Sequence, residues 1–76
     1  MEKKFLDAVK EIMDIDDKEP GLQDTLRDFE NWDSLKELSM LAMMDIEFGI
    51  ELEMKDFNKL ITLGDIFEYI KENGNQ

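Results

Sequence analysis

The chain has 76 residues, enough for one small domain spanning 1–76 and too few for two. Acidic residues outnumber basic ones 20 to 9, the formal net charge is −11, and Cys and His are absent. This composition excludes disulfides and disfavours contact with nucleic acid or an anionic membrane. No apolar run is long enough to span a membrane, so we expect a cytoplasmic protein with no membrane-spanning segment.

The first part of the chain predicts one amphipathic helix. Phe5, Val9 and Ile12 recur at helical spacing, which predicts a helix over Glu2–Met13. The dipeptide Pro20-Gly21 is a strong turn signal and ends this part of the pattern.

A long segment separates the first helix from the second. A structureless connection of this length is uncommon in a compact domain, and this one contains regularly spaced apolar residues. These residues are Leu22, Leu26, Phe29 and Trp32. We therefore predict an ordered loop, held to the core by a short helical turn near residues 23–29.

The second predicted helix begins at Ser34 and ends near Phe48. Ser34 and Glu37 fit the Ser-x-x-Glu capping box, and Gly49 suits the C-cap. Apolar side chains surround most of this helix, which predicts a central position in a bundle. Leu38, Leu41, Met44 and Phe48 form its main apolar face, widened by Met40, Ala42, Met43 and Ile46.

A short third helix is predicted over residues 55–60. Met54, Phe57 and Ile61 are expected to face the core from it and its flanks. No strand pattern appears anywhere in the chain. The fold class is therefore all-α: a small bundle of three main helices and one short helix, with a long ordered loop between helices 1 and 2.

The fourth predicted helix runs from Leu63 to about Asn73. Thr62 can cap its start, and Asp65 lies at the third helical position. Its inward stripe consists of Leu63, Ile66, Phe67 and Ile70.

Neither catalysis nor metal binding is predicted. The commonest general base and the thiol nucleophile are missing, and Lys36 lies two residues from Ser34, so the two side chains point apart on a helix. Asp14-x-Asp16 begins like a calcium-binding loop, but Glu19 stands where that loop needs glycine. We predict no enzyme activity, no catalytic residue and no metal site.

Ser34 has two interpretations from helix physics alone. As a helix N-cap it needs no other purpose, because capping boxes are common. Alternatively, its oxygen can carry a phosphodiester, which would lie against free backbone N–H groups at the positive end of the helix dipole. The residue types leave both interpretations open.

Three segments resemble the acyl carrier protein family. The first is Asp33-Ser34-Leu35, followed by Glu37-Leu38 and by residues 46–50; the second spans residues 59–70, and a looser match spans residues 26–29. Together they cover nearly the whole chain. The resemblance implies that Ser34 carries 4′-phosphopantetheine, donated from coenzyme A by a phosphopantetheinyl transferase. The protein would then hold acyl groups as thioesters and deliver them to partner enzymes.

The resemblance also implies a partner surface on helices 2 and 3, to which acyl-loading and acyl-using enzymes bind through basic patches. Its residues are Asp33, Leu35, Glu37, Asp45, Glu47 and Asp56. Lys36, Ser39 and Ile46 occupy positions where fatty-acid carriers often have acids. The second helix is thus less acidic and more apolar than in those carriers, which favours a dedicated carrier of a secondary pathway.

Two alternatives remain at this point. An aminoacyl or peptidyl carrier would share the arm and Ser34 but would be loaded by an adenylating enzyme. An unmodified acidic interaction module would dock a basic partner through helix 2, and its function would survive Ser34→Ala. If Ser34 is the cap, the same substitution costs about 1 kcal/mol of stability.

Overall fold

The computed structural model describes residues 2–15 and 19–74. These residues form four α-helices and no strand: α1 Glu2–Met13, α2 Ser34–Phe48, α3 Met54–Phe57 and α4 Leu63–Asn73. A 3₁₀ turn, Leu26–Asp28, lies in the connection between α1 and α2. The predicted all-α bundle of three main helices and one short helix is confirmed. None of the helices in the described ranges has the length and apolar character that a membrane crossing requires.

The helices share one apolar core. The side chains predicted to face inward from α4 are all buried, and α1 contributes Phe5, Val9 and Met13. The Phe5 and Phe67 rings lie 5.6 Å apart between centroids, which joins α1 directly to α4. The rest of the core comes from the loop, from α2 and the residues after it, and from α3. These side chains are Leu26, Phe29, Met40, Met43, Met44, Phe48, Ile50 and Phe57.

Several apolar side chains predicted to face the core point to solvent instead. They are Leu38, 52% exposed, Ile46, 78%, Met54, 37%, and Ile61, 56%. Although α2 is apolar around most of its circumference, only one of its sides meets the core. The third helix is a single turn, shorter than predicted, so Phe57 alone of its predicted residues is fully buried.

The loop is fastened to the start of α4 by backbone hydrogen bonds. The Leu26 N–H donates to the Ile61 carbonyl over 3.1 Å, and the Gly64 N–H donates to the Leu22 carbonyl over 2.7 Å. Between them, the Leu63 N–H donates to the Asp24 carbonyl over 2.9 Å. Of the predicted apolar anchors, Leu26 and Phe29 are buried, and Leu22 and Trp32 pack partly against the core. With the hydrogen bonds, they confirm an ordered loop over residues 19–33; residues 16–18 lie outside the described ranges.

Arg27 extends the same fastening to α3. Its guanidinium donates to the Leu60 carbonyl over 2.8 Å and to the Asn58 Oδ1 over 3.2 Å. It also lies over the Phe57 ring, 5.8 Å from the centroid. A one-turn helix has few hydrogen bonds of its own, so these contacts from the loop hold its C-terminal end in place.

The first two helices run antiparallel, with polar contacts at both ends. At one end the Lys4 Nζ lies 3.4 Å from the Glu47 carboxylate and 5.2 Å from the centroid of the Phe48 ring. At the other end the Asn31 side-chain amide donates to the Met13 carbonyl over 3.1 Å, which satisfies the C-terminus of α1. The second contact places the residues before α2 against α1.

Thr62 caps α4, as the sequence predicts, and with Asp65 it forms a capping box. The Asp65 N–H donates to the Thr62 Oγ1, and the Asp65 carboxylate accepts from the N–H groups of Thr62 and Ile61. These bonds, first from Thr62 and then from Ile61, hold the pKa of Asp65 below its ordinary value. Because the folded pKa is the lower one, this stabilisation is present above the unfolded pKa and is lost as the pH falls through the folded one.

Gly64→Ala tests the close approach of the loop to α4. An added Cβ would lie 2.9 Å from the Leu22 carbonyl oxygen, a backbone atom that cannot swing aside. We expect a net loss of about 1–2 kcal/mol in urea unfolding followed by circular dichroism, because overpacking outweighs the gain in helix propensity.

The matched control for this experiment is Gly74→Ala. Gly74 follows α4 with φ −74°, a conformation open to any residue, so its stability should change by less than about 0.5 kcal/mol. A Gly64→Ala protein as stable as the wild type would contradict the close packing.

Candidate functional site

The N-cap of α2 is Asp33, one residue before the serine predicted to hold that position. The backbone of Asp33 is extended, and its Oδ1 accepts from the Lys36 N–H over 2.9 Å. Its carbonyl accepts the first helical bond, from the Glu37 N–H over 3.1 Å. The predicted capping box of Ser34 and Glu37 is therefore wrong. The Glu37 N–H, which the box would have assigned to the Ser34 hydroxyl, donates to the Asp33 backbone carbonyl, and the Asp33 carboxylate caps the helix in place of the serine.

Ser34 is instead the first helical residue, and it is exposed. Within the described residues its hydroxyl makes no hydrogen bond. The N–H groups of Ser34 and Leu35 have no carbonyl within α2 to which they can donate, because they belong to its first turn. An anionic group on the Ser34 oxygen would thus meet free N–H donors and the positive end of the helix dipole.

The neighbouring surface is a polar hollow of about 420 Å³. Its lining consists of Asp14, Glu30, Asn31, Trp32, Asp33 and Lys36. Trp32 is half-buried, and its backbone N–H donates to the Phe29 carbonyl over 3.1 Å. The residue before the cap is therefore held by the loop. Among the hollow's lining residues, Lys36 alone is basic.

Ser34 differs in its setting from the chain's other hydroxyl groups. Thr62 uses its Oγ1 to cap α4, and Thr25 and Tyr69 are half-buried. Ser39 is exposed but lies in the middle of α2, where the surrounding N–H groups are already bonded within the helix. Only Ser34 combines exposure with a position in the first turn of a long helix.

The residues predicted to recognise partners are spread around α2 and α3. Leu35, Asp45 and Glu47 are exposed, whereas Glu37 and Asp56 are half-buried. At about 100° per residue, Leu35 and Glu37 point about 160° apart, so α2 does not gather these side chains on one face.

An exposed apolar stripe on α2 is the feature that sequence reasoning missed. Its residues, Leu35, Leu38, Ala42 and Ile46, recur at intervals of three or four and share one side of the helix. The spacing was visible in the sequence, but it was assigned in part to the core. Leu35 joins this apolar stripe directly to Ser34.

The acidic side chains that the structure describes are not grouped as a metal centre requires. Within residues 2–15 and 19–74, no group of three or more is arranged to hold a metal ion. Asp16, the second member of the calcium-like pattern considered above, lies outside these ranges.

Comparison with protein families gives a match that contains this site. A family model described as "phosphopantetheine attachment site" matches residues 3–70. The matched stretch runs from the first turn of α1 through most of α4 and includes Ser34.

Alanine substitutions at Asp33 and Ser34 test separately the residue that caps α2 and the residue that presents an exposed hydroxyl. Asp33→Ala should lower the free energy of unfolding by about 1 kcal/mol, because the Lys36 N–H loses its acceptor. Ser34→Ala removes a hydroxyl without a partner among the described residues, so we expect a change of less than about 0.5 kcal/mol. Urea unfolding at neutral pH measures both. A larger loss for Ser34→Ala than for Asp33→Ala would restore the serine as the cap.

Proposed function

Because the chain belongs to the phosphopantetheine attachment family, we propose that Ser34 is the residue that bears the prosthetic group. The family carries 4′-phosphopantetheine covalently, and its domains are carriers without catalytic activity. The resemblance to carrier proteins seen in the sequence is thereby confirmed. A phosphopantetheine-bearing carrier is favoured over an unmodified interaction module.

The setting of Ser34 supports its assignment as the attachment residue. Its oxygen is exposed and makes no hydrogen bond within the described residues, and two unpaired N–H groups of the first turn lie beside it. When bound, the group supplies a terminal thiol that holds cargo as a thioester. Asp33 fixes the end of α2 by its own cap, so Ser34 is free to be modified without weakening the helix.

We propose acyl groups as the cargo and a specialised pathway as the setting. The support is the apolar stripe, which begins beside Ser34, together with Lys36, Ser39 and Ile46, which stand where fatty-acid carriers often have acids. An aminoacyl or peptidyl cargo is the second candidate, because a less acidic α2 is also compatible with loading by an adenylating enzyme.

The family implies two kinds of partner: a phosphopantetheinyl transferase and enzymes that handle acyl groups. We propose that these enzymes present basic patches to Asp33, Glu37, Asp45, Glu47 and Asp56, with Leu35 among them. We further propose that residues 1–76 act as one monomeric domain in the cytoplasm. A net charge of −11 supports the monomer, because it repels a second copy.

Intact-mass measurement tests the attachment residue. The protein is incubated with coenzyme A and a promiscuous phosphopantetheinyl transferase. We expect the wild type to gain one phosphopantetheine and Ser34→Ala to gain none. Ser39→Ala is the matched control, because it removes the other serine of α2, and it should be modified like the wild type.

Two results would contradict the assignment. Modification of Ser34→Ala would place the arm on another residue. Failure of the folded wild type with several transferases would remove the carrier function proposed for this chain. Once the arm is attached, incubation with acyl ligases and with adenylating enzymes decides between the two kinds of cargo.

A further inference from the structure

A groove of about 500 Å³ lies between α1 and α2, away from Ser34. Its floor is apolar and is formed by Ala8, Ile12, Ala42, Met43 and Ile46. Its rim is polar and is formed by Asp7, Glu11, Ser39 and Glu47. The α1–α2 groove shares only Glu47 with the partner surface that the family resemblance implies.

Ile46 is the most exposed of the large apolar side chains among the described residues, at 78%. Beside it, Met43 is buried, and Ile12 packs partly against the core. The apolar floor therefore runs from the core outward to Ile46, where it meets the apolar stripe. Water in contact with this surface is released when a partner covers it, which favours association.

The charge around the α1–α2 groove indicates what can cover it. None of its lining residues is basic. Two of the three carboxylates have lysine neighbours: Asp7 pairs with Lys3 over 2.9 Å and Glu47 with Lys4 over 3.4 Å. Glu11 forms no ion pair among the described residues. The lysine pairs are largely exposed, so an incoming cation can replace them at little cost.

We propose that the α1–α2 groove docks an amphipathic helix of a partner enzyme, one that inserts an apolar side chain flanked by Lys or Arg. A groove with apolar and acidic lining residues matches such a helix in polarity and in charge. A second copy of this chain would bring the same acidic rim and be repelled. The inference rests on the proposed function only in naming the partner as an enzyme that the carrier serves.

The position of the groove keeps the attachment site accessible. At a rise of about 1.5 Å per residue, the groove's apolar anchor Ile46 lies about 18 Å along the axis of α2 from Ser34, and its nearest lining residue on α2, Ser39, lies about 8 Å away. A helix docked on the α1–α2 groove would hold the carrier while Ser34 stays exposed to an active site. The contact would therefore add affinity without covering the residue that bears the cargo.

Titration with a synthetic helix tests this docking. The probe has leucines on one face and lysines on both flanks; a second probe has alanines in place of the leucines. Amide shifts in ¹⁵N spectra should move at Ala8, Ile12, Ala42 and Ile46 with the leucine probe. The alanine probe should bind about tenfold more weakly, because apolar anchors carry most of the energy in such contacts.

Matched variants separate the groove from general attraction to an acidic protein. Ile46→Ser and Glu11→Lys should weaken the leucine probe about tenfold and about fivefold, the larger loss again at the apolar anchor. Ile61→Ser removes another exposed apolar side chain, and Glu72→Lys makes the same charge change on α4. Both controls should change the affinity less than about twofold.

Several outcomes would overturn the proposal. Equal losses in the variants and the controls would mean diffuse charge attraction. Competition by decanoate for the same residues would assign the groove to an acyl chain, and dimerisation through it in sedimentation would assign it to a second copy. The mass assay on Ser34 is independent of this test. A protein that is modified but does not bind the probe would contradict the docking proposal alone. A protein that binds the probe but stays unmodified would contradict the proposed function alone.

Discussion

The backbone hydrogen bonds between residues 22–26 and residues 61–64 are the contact on which the rest of the fold depends. A chain of 76 residues buries little apolar surface, so it cannot leave a long segment outside its core. These bonds turn that segment into part of the bundle. They bring Leu26 and Phe29 into the core and carry Arg27 to the end of α3. The short helix, the loop and the start of α4 therefore form one unit.

The same fastening sets the position of the candidate attachment site. Between the anchored Phe29 and the start of α2, the Asn31 amide ties the chain to the end of α1, and Asp33 caps α2. Ser34 thus stands on backbone that is fixed from both sides, while its own hydroxyl takes no part in the fixing. This division suits a carrier, because modification of a capping serine would cost the helix its cap.

The sequence predicted what local patterns control. Spacing and capping residues predicted the bounds of α1, α2 and α4, because periodic apolar faces and caps act over a few residues. The cap of α2 was assigned one residue late, since Asp33 and Ser34 are both good caps and the backbone of the preceding loop decides between them. Helix physics alone left the role of Ser34 open, and only the family resemblance indicated it as the attachment residue.

Long-range packing explains what the sequence could not predict. The approach of Gly64 to Leu22 depends on two segments far apart in the chain. Likewise, the apolar circumference of α2 does not tell which side meets the core, so Leu38 and Ile46 were placed inside. The third helix is shorter than predicted because Ile61 and Thr62 pair with the loop instead of continuing the helix.

The exposed side of α2 and the charge of the protein act on each other. An apolar stripe that starts at Leu35, beside Ser34, and ends in the α1–α2 groove would by itself promote association between copies. A net charge of −11 opposes that association, because every copy carries the same sign. The same charge attracts a partner with basic flanks, for which the apolar contact and the electrostatic contact add. Salt screens the repulsion and the attraction alike, so the selectivity for a basic partner over a second copy is greatest at low ionic strength.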